Sequence, residues 1–329
     1  MIHDSIVSCI GQTPLVALKR LFPSQGQEVI AKLEFLNPGG SVKDRPARYI
    51  IEQGLQDGSI TPQTHLIESS SGNLGIALAM IARAYGLSFT CVVDPLIALA
   101  NLRILKQLRA NVEMVTKLDD QHGYLKTRIQ RVHELLERIP DSHWINQYAN
   151  QLNWQAHYRS TGSEICEQLD RSLDCLVVAV STTGTILGLG RRLRENYPRL
   201  RVIAVDAVGS VIFGAPSGPR AIPGIGATRV PELLCKEDID EVMYVSDQEA
   251  LRGCRELVVK EGIFAGGSSG SVVSALRKLL PTFPSPYRVL TLFPDRGERY
   301  LDTVYDDTWV ASHQKRLSKF QDRESIKFR

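Results

Sequence analysis

The sequence predicts an α/β protein of two domains with mostly parallel, twisted sheets. Three observations carry that expectation. Short runs rich in β-branched residues recur along the chain, and amphipathic stretches separate them. The length, 329 residues, exceeds what one compact core usually takes.

The strand candidates are residues 29–33, 90–93, 112–115, 176–180, 202–205, 242–245 and 289–293. They are continuously apolar, as strands buried on both faces are. The helix candidates are 76–85, 99–108, 124–138, 154–169 and 269–280. Their alternation with the strands implies parallel pairing through right-handed crossovers. No internal repeat or low-complexity segment interrupts the pattern. Pro- and Gly-rich stretches fall at 37–40 and 213–226, and the second is long enough for a site loop.

Hydrophobic content of 43% and charged content of 23% are ordinary for a soluble enzyme. No apolar run reaches the ~20 residues of a membrane span. Met1-Ile2-His3-Asp4 lacks the pattern of a signal peptide, so a cytoplasmic protein is expected, with no membrane partner. Cys9, Cys91, Cys166, Cys175, Cys235 and Cys254 form no C-x-x-C pair and have no accompanying His cluster. They read as reduced thiols, mostly in the core, with no metal site. Residues 312–329 hold six basic and two acidic side chains, a net +4 that leaves −1 for the rest of the +3 chain. A solvated tail is the expectation, and the body has no electrostatic footprint for nucleic acid.

Four segments carry chemistry. In Asn37-Pro38-Gly39-Gly40-Ser41-Val42-Lys43-Asp44-Arg45, a Gly-rich turn places Lys43 at a helix start. The helix dipole disfavours a cation there and favours a neutral, nucleophilic amine. An exposed lysine at a helix start remains the alternative. In Glu68-Ser69-Ser70-Ser71-Gly72-Asn73-Leu74-Gly75-Ile76, which follows a strand and precedes a helix, N–H groups and the hydroxyls of Ser70 and Ser71 can hold a carboxylate, and Asn73 can donate to an oxyanion. The alternative is a simple N-cap, for which one serine suffices.

Ser181-Thr182-Thr183-Gly184-Thr185 follows a strand and opens a helix, which suits a phosphate dianion. It lacks both G-K-[ST] and G-x-G-x-x-G, which points away from nucleoside triphosphates and dinucleotides. A phosphorylated cofactor such as pyridoxal 5′-phosphate (PLP) fits. Gly262-Ile263-Phe264-Ala265-Gly266-Gly267-Ser268-Ser269-Gly270-Ser271, read alone, is a loop with a helix cap.

In this order, the four segments resemble the fold-type II PLP enzymes of the cysteine synthase and cystathionine β-synthase group, whose architecture is tryptophan synthase β-like. Gly11-Gln12-Thr13-Pro14-Leu15, Asn146-Gln147-Tyr148, Pro223-Gly224-Ile225-Gly226-Ala227 and Pro294-Asp295-Arg296-Gly297-Glu298-Arg299-Tyr300 extend the resemblance from about residue 8 to 310. It implies that Lys43 holds PLP as a Schiff base and later removes the substrate α-proton. It implies that Asn73 meets the cofactor O3′, that Ser181, Thr182, Thr183, Gly184 and Thr185 cup its phosphate, and that Ser268 faces the pyridine nitrogen. A neutral serine there favours β-elimination over transamination. Ser70, Ser71, Gly72 and Gln147 are implied to contact the substrate.

Departures from cysteine synthase bear on the substrate. The cup reads S-T-T-G-T where that enzyme has G-T-G-G-T, Leu74 replaces a threonine, Tyr148 a phenylalanine, and Thr228-Arg229 a small and an apolar residue. Added hydroxyls and a guanidinium suit more anionic substrates. Arg128, on the amphipathic stretch 124–138, is a further candidate for an anionic group, with a solvated helix face as the alternative. Arg128, Tyr148 and Arg229 are therefore expected substrate contacts. The stretches 68–79, 144–155 and 210–214 are similar to a branch that joins O-phospho-L-serine to L-glutamate, releasing phosphate, towards 2,3-diaminopropionate and siderophores. Rival readings are a cysteine synthase using O-acetylserine or O-phosphoserine with sulfide, and a silent ligand-sensing homologue.

The resemblance further implies a smaller domain of residues 39–150 bearing Lys43 and the carboxylate loop. A larger domain of 1–38 and 151–329 would bear the phosphate cup, with PLP between the two and a homodimeric assembly.

Overall fold

The computed structural model describes residues 2–24, 26–119 and 123–313. The basic residues from Lys315 onward lie outside these, so the expectation of a solvated tail is not addressed.

In chain order the elements are β1 (Leu15–Ala17), β2 (Gln27–Leu33), α1 (Asp44–Asp57), β3 (His65–Ser69), α2 (Asn73–Tyr85), β4 (Ser88–Val93), α3 (Leu99–Gln107), β5 (Asn111–Met114), α4 (Leu125–Arg138) and β6 (Ser142–Trp144). They continue with α5 (Leu152–His157), α6 (Ser163–Gln168), β7 (Cys175–Ala179), α7 (Gly184–Asn196), β8 (Arg201–Ala207), β9 (Glu241–Val245), α8 (Asp247–Glu261), α9 (Gly267–Leu279) and β10 (Tyr287–Phe293). One sheet runs β1-β2-β10-β7-β8-β9 and the other β5-β4-β3-β6. Every pairing is parallel except β1 with β2. The mixed α/β fold with mostly parallel sheets is the one the sequence predicts.

The continuous apolar runs are explained by the two-sided burial of the larger sheet. Val29, Ala31, Val177, Ile203, Val205, Val289 and Phe293 face one core. Their neighbours Ile30, Leu176, Val178, Val202, Ala204, Leu290 and Leu292 face the other. With a side-chain period of two, both faces must be apolar. A separate core around Ile50, Leu66, Ile81, Phe89 and Leu105 supports the smaller sheet.

The strand candidates match within two residues at either end. Three short strands, β1, β3 and β6, lie outside them, being too brief or too polar for an apolar run. The stretch 154–169 is not one α-helix: a π-helical segment, Tyr158–Gly162, separates α5 from α6. It lies where Gly188 of α7 comes so close to the backbone of Trp154 and Tyr158 that a Cβ would not fit. The cysteines are all free, but only Cys91, Cys175 and Cys254 are buried, fewer than expected. Among the described residues, no helix is long and apolar enough to cross a membrane.

Helices α8 and α9 cross through glycine. A Cβ on Gly270 would meet the Ala250 carbonyl and the Cys254 sulfur, and one on Gly253 would meet the Gly270 backbone. Gly270→Ala should therefore cost about 1–3 kcal/mol of stability by overpacking. Urea unfolding checks this, and an unchanged midpoint would show that the helices can part freely.

Candidate active site

In open parallel sheets, sites form beyond the carboxyl ends of the strands. The turn bearing Lys43 follows β2 through a short 3-10 segment, the serine loop follows β3, residues 181–185 follow β7, and residues 294–300 follow β10. Parallel pairing of β2, β10 and β7 brings three of these segments to one edge of the larger sheet, and hydrogen bonds from Asn73 to Asp295 and from Arg299 to Asn73 join the serine loop of the smaller sheet to them.

Lys43 is the N-cap of α1. Its turn is shaped by Gly40, at φ +80°, and by Asp44, whose carboxylate accepts from the Gly39 N–H at 2.6 Å. Lys43 lines a cleft with Ser181, Thr182, Thr183, Thr185 and Gly224. Burial lowers its pKa to about 8, and the Asp295 carboxylate partly opposes that shift. The neutral amine expected from the helix dipole is thus favoured chiefly by loss of water.

Within the cup, Thr183 has a left-handed backbone, φ +67°, a costly conformation for a threonine. Its hydroxyl is buried without a protein partner. Gly184 opens α7, and a Cβ there would collide with the Asn153 amide, whose nitrogen donates to Thr182 Oγ1 at 3.3 Å. His157 is buried with Nε2 3.3 Å from Thr185 Oγ1, and burial holds its pKa well below the usual histidine range. It is therefore a neutral partner. The cup offers helix N–H groups and hydroxyls with no cation among them, a donor set suited to one phosphate monoester. Ser181 is already engaged, donating to the Gly226 carbonyl at 3.1 Å.

The serine loop divides its labour differently from the sequence expectation. Ser70 Oγ turns inward and accepts from the N–H groups of Gly72 and Gly75 at 3.4 and 3.2 Å, a capping role. Ser71 Oγ accepts from Arg128 at 2.9 Å, and the same guanidinium nitrogen lies 3.2 Å from Asp94. Arg128 is therefore not on a solvated face, and its Nε is buried without a partner. Gly72 is the N-cap of α2, with open space where a Cβ would be.

Asn73 is clamped by a segment whose role the sequence left unassigned. Its amide nitrogen donates to Asp295 at 2.7 Å, while Arg299 donates to its amide oxygen and to the Gly39 carbonyl. Tyr300 donates to the same Asp295 carboxylate. Gly266 N donates to the Asp295 carbonyl at 3.0 Å, which fixes the start of α9, where Ser268 is buried. Residues 294–300 thus tie three of the four motifs together.

Gln147 and Tyr148 are placed by Glu68 and Asn153. The Gln147 N–H donates to Glu68 at 3.2 Å, and its carbonyl accepts from Asn153 at 2.7 Å. Arg229 lies over the Tyr148 ring, 4.6 Å from its centre, and pairs with Glu232. Glu68, Asn153, His157, Asp295, Arg299 and Tyr300 were missed as site residues. Glu68 and the 294–300 segment stood inside quoted motifs, but nothing local marks Asn153 or His157.

Burial raises the Glu68 carboxyl to about 7, against three donors that pull it down. The folded protein then holds a proton that the unfolded chain releases between pH 4.5 and 7, so stability falls as pH rises through that window. Glu68→Gln should remove a pH-dependent penalty of at most roughly 3 kcal/mol. Unfolding measured at pH 5 and pH 8 checks this; parallel losses in variant and parent would exclude a proton on Glu68.

A desolvated lysine, an all-neutral phosphate cup with an orphaned buried hydroxyl, and a clamped asparagine define an α/β enzyme suited to a phosphorylated aldehyde cofactor. The chain belongs to the pyridoxal-phosphate dependent enzyme family, matching it over residues 6–295. It is 61% identical over 311 residues to the N-(2-amino-2-carboxyethyl)-L-glutamate synthase of Ralstonia nicotianae, covering 94% of this chain and 92% of that protein. It is 59% identical over 314 residues to the synthase of the same name from Cupriavidus metallidurans, with the same coverage. Among solved structures, the O-acetylserine dependent cystathionine beta-synthase from Helicobacter pylori superposes with a TM-score of 0.87 at 36% identity, covering 92% of this chain and 98% of that one. The resemblance read from the motifs is borne out, and with it PLP as the cofactor.

Proposed function

We propose that this enzyme joins O-phospho-L-serine to L-glutamate by β-replacement, forming N-(2-amino-2-carboxyethyl)-L-glutamate and inorganic phosphate. The observation that carries this reading is Arg128, seated on Ser71 of the serine loop with part of its guanidinium buried and unmatched. The identity to the two named synthases supports the same substrates.

In this reading Lys43 anchors PLP, residues 181–185 hold its phosphate, Asn73 meets its O3′ and Ser268 its ring nitrogen. PLP held there would supply an electron sink for charge developing at the substrate Cα. The N–H and hydroxyl of Ser71, at the start of α2, take the substrate carboxylate. Lys43 Nζ takes the α-proton, for which its lowered pKa suits it. Arg128 draws the phosphate away from Cβ, the glutamate amine bonds to that carbon as it gives up a proton, and Lys43 returns a proton to Cα. Tyr148 and Arg229 border the space where the second substrate enters. Closure of residues 39–150 against the remainder would exclude water from the cleft. A cytoplasmic homodimer serving siderophore assembly completes the proposal.

The test is direct. Holoenzyme with O-phosphoserine and glutamate should release phosphate and yield the coupled amino acid by mass spectrometry. Absence of a glutamate-dependent product, or faster cysteine formation from sulfide, would overturn the reading. Arg128→Ala should lower kcat/KM for O-phosphoserine on the order of ten- to a hundredfold, and that for O-acetylserine much less. Equal losses would remove Arg128 from phosphate recognition.

A further inference from the structure

Arg220 lies on the 208–235 connection, between β8 and β9. It has no carboxylate within ion-pair distance among the described residues, whereas buried Arg45 has both Glu34 and Glu164. One of its nitrogens donates to the Ile225 carbonyl at 3.0 Å, and its Nε is buried with no partner. Asp206 and Asp247 lie within electrostatic reach but neither touches it, and a partly desolvated guanidinium with a nitrogen left unpartnered is costly and is kept where an anion can reach it.

Its surroundings belong to the site. Arg220 grips the Gly224–Gly226 turn. Gly224 lines the cleft with Lys43, and the Gly226 carbonyl holds Ser181. Gly226, at φ +72°, leaves the space: a Cβ there would stand 2.7 Å from the Arg220 guanidinium. Arg220 lies within electrostatic reach of Tyr148, the residue that carries Arg229 on its ring. The other charged groups facing Arg220 are Asp206 and Asp247.

Charge matching distributes the ligands. The first substrate brings a carboxylate, matched to the start of α2, and a phosphate, matched to Arg128. An acidic amino acid brings two further carboxylates. We propose that Arg220 receives the side-chain carboxylate of the second substrate and so selects a dicarboxylic amino acid as nucleophile. This rests on the reading that the nucleophile is glutamate.

The experiment compares Arg220→Ala and Arg220→Lys holoenzymes with the parent. Glutamate, glutamine and O-phosphoserine are each varied, and the absorbance change on adding O-phosphoserine alone is recorded. Arg220→Ala should raise KM for glutamate tenfold or more and erase the preference for glutamate over glutamine. KM for O-phosphoserine should move less than about twofold, since separate sites are additive, and the absorbance change should persist. Arg220→Lys should recover part of the preference. An unchanged glutamate-to-glutamine ratio, or equal rises in both KM values, overturns the proposal. Loss of the cofactor band in both variants also overturns it, by making Arg220 a structural tie to the turn. If the parent responds to O-phosphoserine but makes no glutamate product, the functional reading fails instead.

Discussion

Lys43→Ala should reduce turnover by about three orders of magnitude or more, because one side chain is asked to anchor the cofactor and to move the α-proton. The pKa of about 8 makes the dual role workable. At neutral pH roughly a tenth of such an amine is unprotonated, whereas a lysine at its ordinary value would be free in less than about one part in a thousand. The variant should still fold, since Lys43 caps α1 through its backbone and makes no ion pair among the described residues. Its visible cofactor band should shift or disappear, while unfolding stability stays near that of the parent. Turnover within tenfold of the parent would show that another group takes the proton.

Asp295 carries the second large effect, and two substitutions separate its two jobs. Asp295→Asn keeps the shape, and the amide oxygen can still accept from Asn73 and Tyr300. What disappears is the charge that holds the Lys43 pKa up. Lys43 should then lose its proton at lower pH, and the pH midpoint of cofactor loading, read by absorbance, should move down. Asp295→Ala also removes the acceptor. Asn73 and Tyr300 lose their partner and the Lys43 and Arg299 charges lose their countercharge, at a cost of about 3 kcal/mol or more. It should weaken PLP binding in a way that Asp295→Asn does not. An upward movement of the midpoint in Asp295→Asn would contradict the electrostatic assignment.

These effects bear on what was legible beforehand. The strands of the larger sheet were readable because burial on both faces leaves a continuous apolar run, as in β7 and β10. The β3 strand was found only through the serine loop that follows it, and β1 and β6 not at all, because three-residue strands carry no periodic signal. Lys43, Asn73 and residues 181–185 stood out because turns and helix starts demand particular residues at fixed offsets, whereas Ser268 was assigned only through the family resemblance. His157 sits within the expected helix 154–169 and Asn153 just before it, where an imidazole and an amide look like ordinary solvent-facing groups, and only the approach of α5 to α7 turns them towards the cup.

Lys43 itself shows the division. The chain by itself determined that a lysine follows a Gly-rich turn at a helix start, and that two anion-binding turns and a further helix cap lie far along the sequence. Tertiary structure decided the proton affinity of its amine. Parallel pairing set β10 beside β2 and β7, which brought Asp295 and the walls of the cleft around Lys43. Desolvation and a carboxylate from 252 residues away are long-range quantities, and no local pattern encodes them.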